Sequence, residues 1–178
     1  MRVTAIALVV LALLSACEDK VKPPVTDTPI TEEIPDQESW DSQIIFSDSG
    51  RVSAVLQAGH ILVYERRLET HLDSGITVDF YDKNEQHTST LTADRGRVND
   101  ATKDLEAFGN VVFVSDSGTV VETEYLFWDN RRKKVRSDKF VTVTSPKERL
   151  QGYGFEADQG LKNYVIYKVS GEAELEEE

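Results

Sequence analysis

The chain holds one cysteine, one methionine and three histidines in 178 residues. A single thiol excludes an intramolecular disulfide, so no covalent staple holds the fold. The histidines, at 60, 71 and 87, do not fall at metal-ligand spacing, and no second cysteine accompanies them. No metal site is expected, and they read as surface or edge residues. A nucleophile elbow and a glycine-rich phosphate loop are both missing. Paired carboxylates such as Asp79/Asp82 and Glu122/Glu124 are commonplace in a chain this acidic. No catalytic residue and no cofactor are expected, and the protein reads as a non-enzyme. Basic side chains are scarce, 20 against 32 acidic, for a net charge of −12. That excludes a general nucleic-acid or anionic-membrane binder, which needs basic surface to displace counterions. Most of the acids read as a solubilising exterior.

Long hydrophobic runs are also lacking, apart from Val3 to Leu14. That stretch is too short for a mature transmembrane helix, which needs ~20 apolar residues. With Arg2 before it and Ser15-Ala16-Cys17 after it, residues 1–16 read as a secretory signal ending in a lipobox. Cys17 would then take a diacylglycerol, and its freed amine an acyl chain such as palmitate. An ordinary signal peptide is the alternative. A lone free thiol in an oxidising compartment would be a liability, which argues against it. Two or more acyl chains anchor durably where one would not. Cleavage leaves 162 residues with 19 basic and 32 acidic side chains, a net charge of −13. The lipidated Cys17 and the segment to residue 38, with prolines at 23, 24, 29 and 35, read as a disordered tether. At about 3.1 Å per residue it reaches roughly 60 Å from the membrane.

From Trp40 onward, short runs rich in Val, Ile, Thr, Phe and Tyr alternate with turn residues, as strands do. Asp-Ser-Gly recurs at 48–50, 73–75 and 116–118 and reads each time as a turn. Further turns are expected at 82–85, 100–103 and 129–131. No helical periodicity stands out, so the domain is all-β, a sandwich, jelly roll or barrel. A hairpin repeats at about thirty residues, with slim inward residues at Ala93, Thr123 and Ala157. Residues 39–175 form the domain in this reading, and 176–178 an acidic tail.

The order of motifs is informative. Leu-x-Ala-x-x-Gly (91–96) precedes Gly-Asn-Val-Val (109–112) and Val-x-Thr-x-x-Leu-x-Trp (121–128). Asp-Lys-Phe-Val (138–141) and Leu-x-Gly-x-Gly-Phe (150–155) follow. Over residues 40–173 this resembles the periplasmic lipopolysaccharide-export proteins built on the OstA-type β-jellyroll, and is most similar to the LptC family. The best-studied members carry a transmembrane helix where this chain has a lipobox.

The resemblance implies a single rolled antiparallel β-jellyroll acting as a lipopolysaccharide carrier. Its partners would be the inner-membrane export ABC transporter and an LptA-type periplasmic jellyroll, and its place the periplasm, lipid-anchored to the inner membrane. Acyl chains would lie in an apolar groove and pass onward between strand edges. Groove positions in phase with the slim residues are Leu91, Leu105, Val111, Phe113, Val121, Tyr125, Phe127, Val141, Val143 and Phe155; a closed core would use the same residues. Gly152 and Gly154, in a strand-like stretch, would mark a narrow place where the next jellyroll docks, unless they are turn glycines. Tyr164 and Ile166 lie on the candidate outgoing edge, 163–169. The competing function is a structural or adhesive β-lipoprotein without lipid cargo.

Overall fold

A computed structural model describes residues 34–170 and the backbone of 174–175. The expected signal peptide, Cys17, the expected tether up to residue 33 and the expected acidic tail lie outside the described residues. The strands are β1 (Gln37–Asp48), β2 (Arg51–Tyr64), β3 (Glu69–Tyr81), β4 (His87–Ala93), β5 (Arg95–Asn99) and β6 (Leu105–Ser115). After them come β7 (Val120–Asp129), β8 (Lys134–Thr144), β9 (Glu148–Asp158), β10 (Tyr164–Val169) and β11 (Glu174–Leu175). The only helical element among the described residues is a 3-10 turn, Glu65–Arg67. The first strand starts before the expected boundary at residue 39, because Gln37 and Glu38 already pair with Val63 and Leu62 of β2.

The topology is an antiparallel meander in one sheet. Each strand pairs with the next; β4 and β5 are halves of one strand, lying between β3 and β6, and β10 and β11 share β9 as neighbour. The turns form as their side chains dictate. Asp82 Oδ1 accepts from the backbone N–H groups of Asn84 (2.8 Å) and Gln86 (3.0 Å). Asn99 and Asp158 do the same at 99–102 and 158–163.

A line of irregularities crosses the sheet at right angles to its strands. In β1 it is Asp41 (φ 46), level with Gly59 of β2. Next come Ser74 (φ 63) and Gly75 (φ 84) in β3, then Asp94 between β4 and β5. Gly109 (φ 73) and Asn110 (φ 45) follow in β6. Register shifts between Thr123 and Phe127 and between Ser137 and Phe140 continue the line to Gly154 (φ 78) in β9. Bulges bend strands and increase their twist. Here, running from β1 to β9, they let the sheet fold over as two facing leaves.

The close contacts between leaves prove the fold-over. The ring of Phe80, at the far end of β3, lies 4.8 Å from that of Trp128 at the opposite end of β7, tilted by 49°. Asp-Ser-Gly 73–75 is therefore not the expected turn: it lies inside β3, at the crease. The copies at 48–50 and 116–118 are turns, with Gly50 and Gly118 in the left-handed region.

Candidate functional site: the inner face, the mouth and the free edges

The inner face is mainly apolar, with Thr70, Ser89, Ser115, Thr119, Thr123 and Ser137 the polar side chains buried among its hydrophobic residues. Leu91, Leu105, Val111, Phe113, Val121, Val141, Val143 and Phe155 are all buried there, as the alternation predicts. Tyr125 and Phe127 are not. Across the crease β7 runs one residue shorter than β6 and β8, so after Thr123 the inward positions become Leu126 and Trp128 and the alternation resumes out of phase. Tyr125 stands outside, 5.4 Å from Phe108, and donates to Glu106 Oε1 at 3.0 Å. Burial first and that carboxylate second push its hydroxyl up to about 12. Phe127 lies under the Arg136 guanidinium at 4.4 Å. Leu56, Phe80, Leu126, Trp128, Val135 and Leu161 are among the further interior residues and were not picked out from the sequence. The run Tyr-Leu-Phe-Trp offered no alternation from which to choose, though Phe80 and Leu56 sat in plainly alternating strands.

The expected groove is closed in this structure. Its own side chains pack into one hydrophobic cluster between the leaves. A cleft of about 440 Å³ lies at the crease beside Asp41, Gly59 and Gly75, and further open space lies at the mouth, opposite the crease, where hairpin turns of the two leaves face each other. One cleft of about 940 Å³ lies between residues 44–48 of β1 and the turns at 102–104 and 129–133. Another, about 400 Å³, lies between residues 51–53 and 81–83 on one leaf and 158–162 on the other. A narrow slot of about 20 Å³ runs from the mouth down to Phe80 and Trp128.

Polar struts close the mouth toward the C-terminal side. Ser89 Oγ donates to the Gln159 carbonyl at 2.8 Å, and Gln159 Nε2 donates to the Tyr81 carbonyl (3.1 Å) and Thr88 Oγ1 (2.9 Å). The Tyr164 hydroxyl crosses to Glu148 Oε1 at 2.8 Å. Burial and then Glu148 push it up to about 12. Each buried polar side chain among the described residues has a partner.

The sheet does not close into a barrel. Strand β1 pairs only with β2, and β10 only with β9, leaving two free edges among the described residues. Tyr164 and Ile166 of β10 pack against the core, whereas Val165, Tyr167 and Val169 are more than half exposed. Gly152 and Gly154 are strand residues, not turn residues. At Gly152 a Cβ would collide with the Lys168 carbonyl, and Gly154 lies under the Tyr167 ring. The backbone that comes close to them is the chain's own β10.

The histidines pair with carboxylates on the outer face: His60 with Glu38, His71 with Glu69, and His87 with Asp116 at 2.7 Å. The bond from His71, with help from Arg67 and Arg97, holds the Glu69 carboxyl below its ordinary value. No group of side chains among the described residues is arranged to hold a metal ion.

An open rolled sheet with an apolar interior and two unpaired edges defines the class of β-jellyrolls that can be joined edge to edge. The chain belongs to the LptC-related family of lipopolysaccharide-assembly proteins, whose pattern it matches over residues 4–173. Its role is therefore in lipopolysaccharide transport, at the inner membrane and in the periplasm, within a family of carriers. No curated protein matches the sequence.

Proposed function

We propose that the protein is a non-enzymatic bridge, tethered through lipidated Cys17. It would receive lipopolysaccharide from the inner-membrane export ABC transporter and pass it to an LptA-type jellyroll. The observation that supports this reading is the sheet's form: a largely apolar inner face with a free strand at each end. Several acyl chains cannot cross an aqueous compartment uncovered, and burying them returns roughly 25 cal/mol per Å². A free edge such as β10 can extend the sheet into a neighbour through main-chain hydrogen bonds.

Because the interior is packed, cargo enters only if the leaves part at the mouth. The interior side chains exposed by parting are then covered by acyl chains, so the apolar cost of opening is offset by the cargo itself. The few polar struts at Ser89, Gln159, Tyr164 and Glu148 are the bonds that must yield. A structural β-lipoprotein would need neither the two bare edges nor a mouth held by so few bonds.

Depleting the protein from cells should leave newly made lipopolysaccharide in the inner-membrane fraction, and unchanged delivery to the outer membrane would refute the carrier reading. The tether is tested separately. Cys17→Ala should abolish palmitate labelling and release the domain from the inner membrane; persistent labelling at that end would overturn the lipobox.

A further inference from the structure

The slot at the mouth has a composition unlike the rest of the molecule. Its floor and walls are Phe46, Leu56, Val78, Phe80 and Trp128 with their apolar neighbours, and its rim is Ser53, Lys103, Asn130 and Lys133. No carboxylate lines it, in a chain where acids outnumber bases 32 to 20. Lys133 Nζ donates to Asn130 Oδ1 at 2.9 Å and lies 5.8 Å above the Trp128 ring. Lys103 is 3.7 Å from Asp100.

The neighbouring acids are occupied in holding turns. Asp104 Oδ1 accepts from the Asn130 N–H at 2.9 Å, and Asp129 Oδ1 from the Arg132 N–H at 2.8 Å. In the wider clefts beside the slot, Arg51, Lys83, Arg131 and Lys162 stand among the carboxylates of Asp48, Asp82, Asp104, Asp129 and Asp158, so the slot itself is the part of the mouth lined by cations alone.

Backbone conformation adds an independent mark. Lys103 (φ 62) and Lys133 (φ 53) both occupy the left-handed region, as Ser49, Glu85 and Leu161 do in neighbouring turns. Glycine or asparagine would hold it at lower cost. On the opposite lip, glycines 50 and 118 do hold it. An ammonium group at each of these two positions thus comes with conformational strain, beside an apolar slot.

We propose that Lys103 and Lys133 form a phosphate-binding rim, seating the phosphoryl groups of an acylated glycolipid while its chains enter over Phe80 and Trp128. This deepens the carrier reading and rests on it. Phosphate oxygens accept charge-assisted hydrogen bonds from ammonium groups, which are stronger than neutral ones. The hold of Lys133 on the indole face is weak by comparison and can be given up. Two lysines at one mouth would fix which end of the cargo stays outside and stop it from sliding in.

The test uses the full chain with three probes: bis-phosphorylated lipid A, the same lipid A with its phosphates removed, and phosphatidylglycerol. The wild type should prefer the phosphorylated lipid A by about tenfold or more, the weight of one or two charge-assisted contacts. The double variant Lys103→Gln/Lys133→Gln should lose that preference and still bind the dephosphorylated form unchanged. Lys103→Arg/Lys133→Arg should restore it and confirm that the fold is intact. A preference that survives the glutamine pair overturns the proposal, as does equal wild-type binding of both lipid A forms. Phosphatidylglycerol bound as tightly as lipid A would overturn the assignment to a glycolipid. Wild-type protein that binds neither lipid A form would bring down the carrier reading as well, a distinct result.

Discussion

The crease and the mouth of the roll are built from opposite materials. At the crease the chain uses glycine, asparagine, bulges and backbone proximity. Gly109 lies so near Asp94 that a Cβ would stand 2.6 Å from its Oδ2, and Asn110 Nδ2 donates to that same oxygen at 2.8 Å. Thr123 Oγ1 donates to the Phe140 carbonyl at 2.9 Å, covering an acceptor freed by the bulge. At the mouth the leaves meet through long side chains and a few polar bonds. A fixed fold line with an openable rim is what a sheet needs to admit cargo without unrolling.

Substitutions should divide along that comparison. Trp128→Ala removes the ring that bridges the leaves and should cost about 3–5 kcal/mol in chemical denaturation. A loss well under that range would show that the leaves do not depend on the indole. At the crease, Gly59→Ala places a Cβ 2.7 Å from the Ser74 carbonyl. A cost of roughly 1–3 kcal/mol is expected, since neither backbone can move aside. Thr123→Val should cost about 1–3 kcal/mol by stranding the Phe140 carbonyl, measured in the same way.

The Tyr164 strut is sharpened by titration. Folding favours its neutral phenol, so that contribution is whole below about pH 10 and is lost as pH rises through about 12. Ultraviolet titration of Glu148→Gln should show this tyrosine ionising at lower pH than in the wild type; an unmoved transition would mean that the bond does not form. The smallest effect belongs to the rim. Lys133→Gln should change stability by no more than about 0.5 kcal/mol, because its side chain serves the mouth and not the core. A large loss would make it a structural residue.

Much of the fold was legible from residues alone. The turns expected at 82–85, 100–103 and 129–131 and the alternation along β4, β6, β8, β9 and the start of β7 led to the right strands and to eight of the inward positions. The motifs that carried the family resemblance have a physical meaning that the sequence does not display. Ala93-Asp94, Gly109-Asn110, Asp138-Lys139 and Gly154 are crease residues. A bulge is invisible to a period-two reading, because it is a break in the period. For that reason Tyr125 and Phe127 were read as inward when they face out, and Asp-Ser-Gly 73–75 was read as a turn when it bends a strand. The mouth was illegible for another reason: its lysines come from turns far apart in sequence, and only the fold-over of the leaves brings them together.

Phe113 and Phe127 allow the central claim to be tested within one molecule. Phe113 is wholly buried between the leaves, and Phe127 stands outside beneath Arg136. A photo-crosslinker at position 113 should capture lipopolysaccharide in cells in an ATP-dependent manner, and one at position 127 should not. Equal capture at both positions, or none at 113 while export proceeds, would contradict passage through the interior.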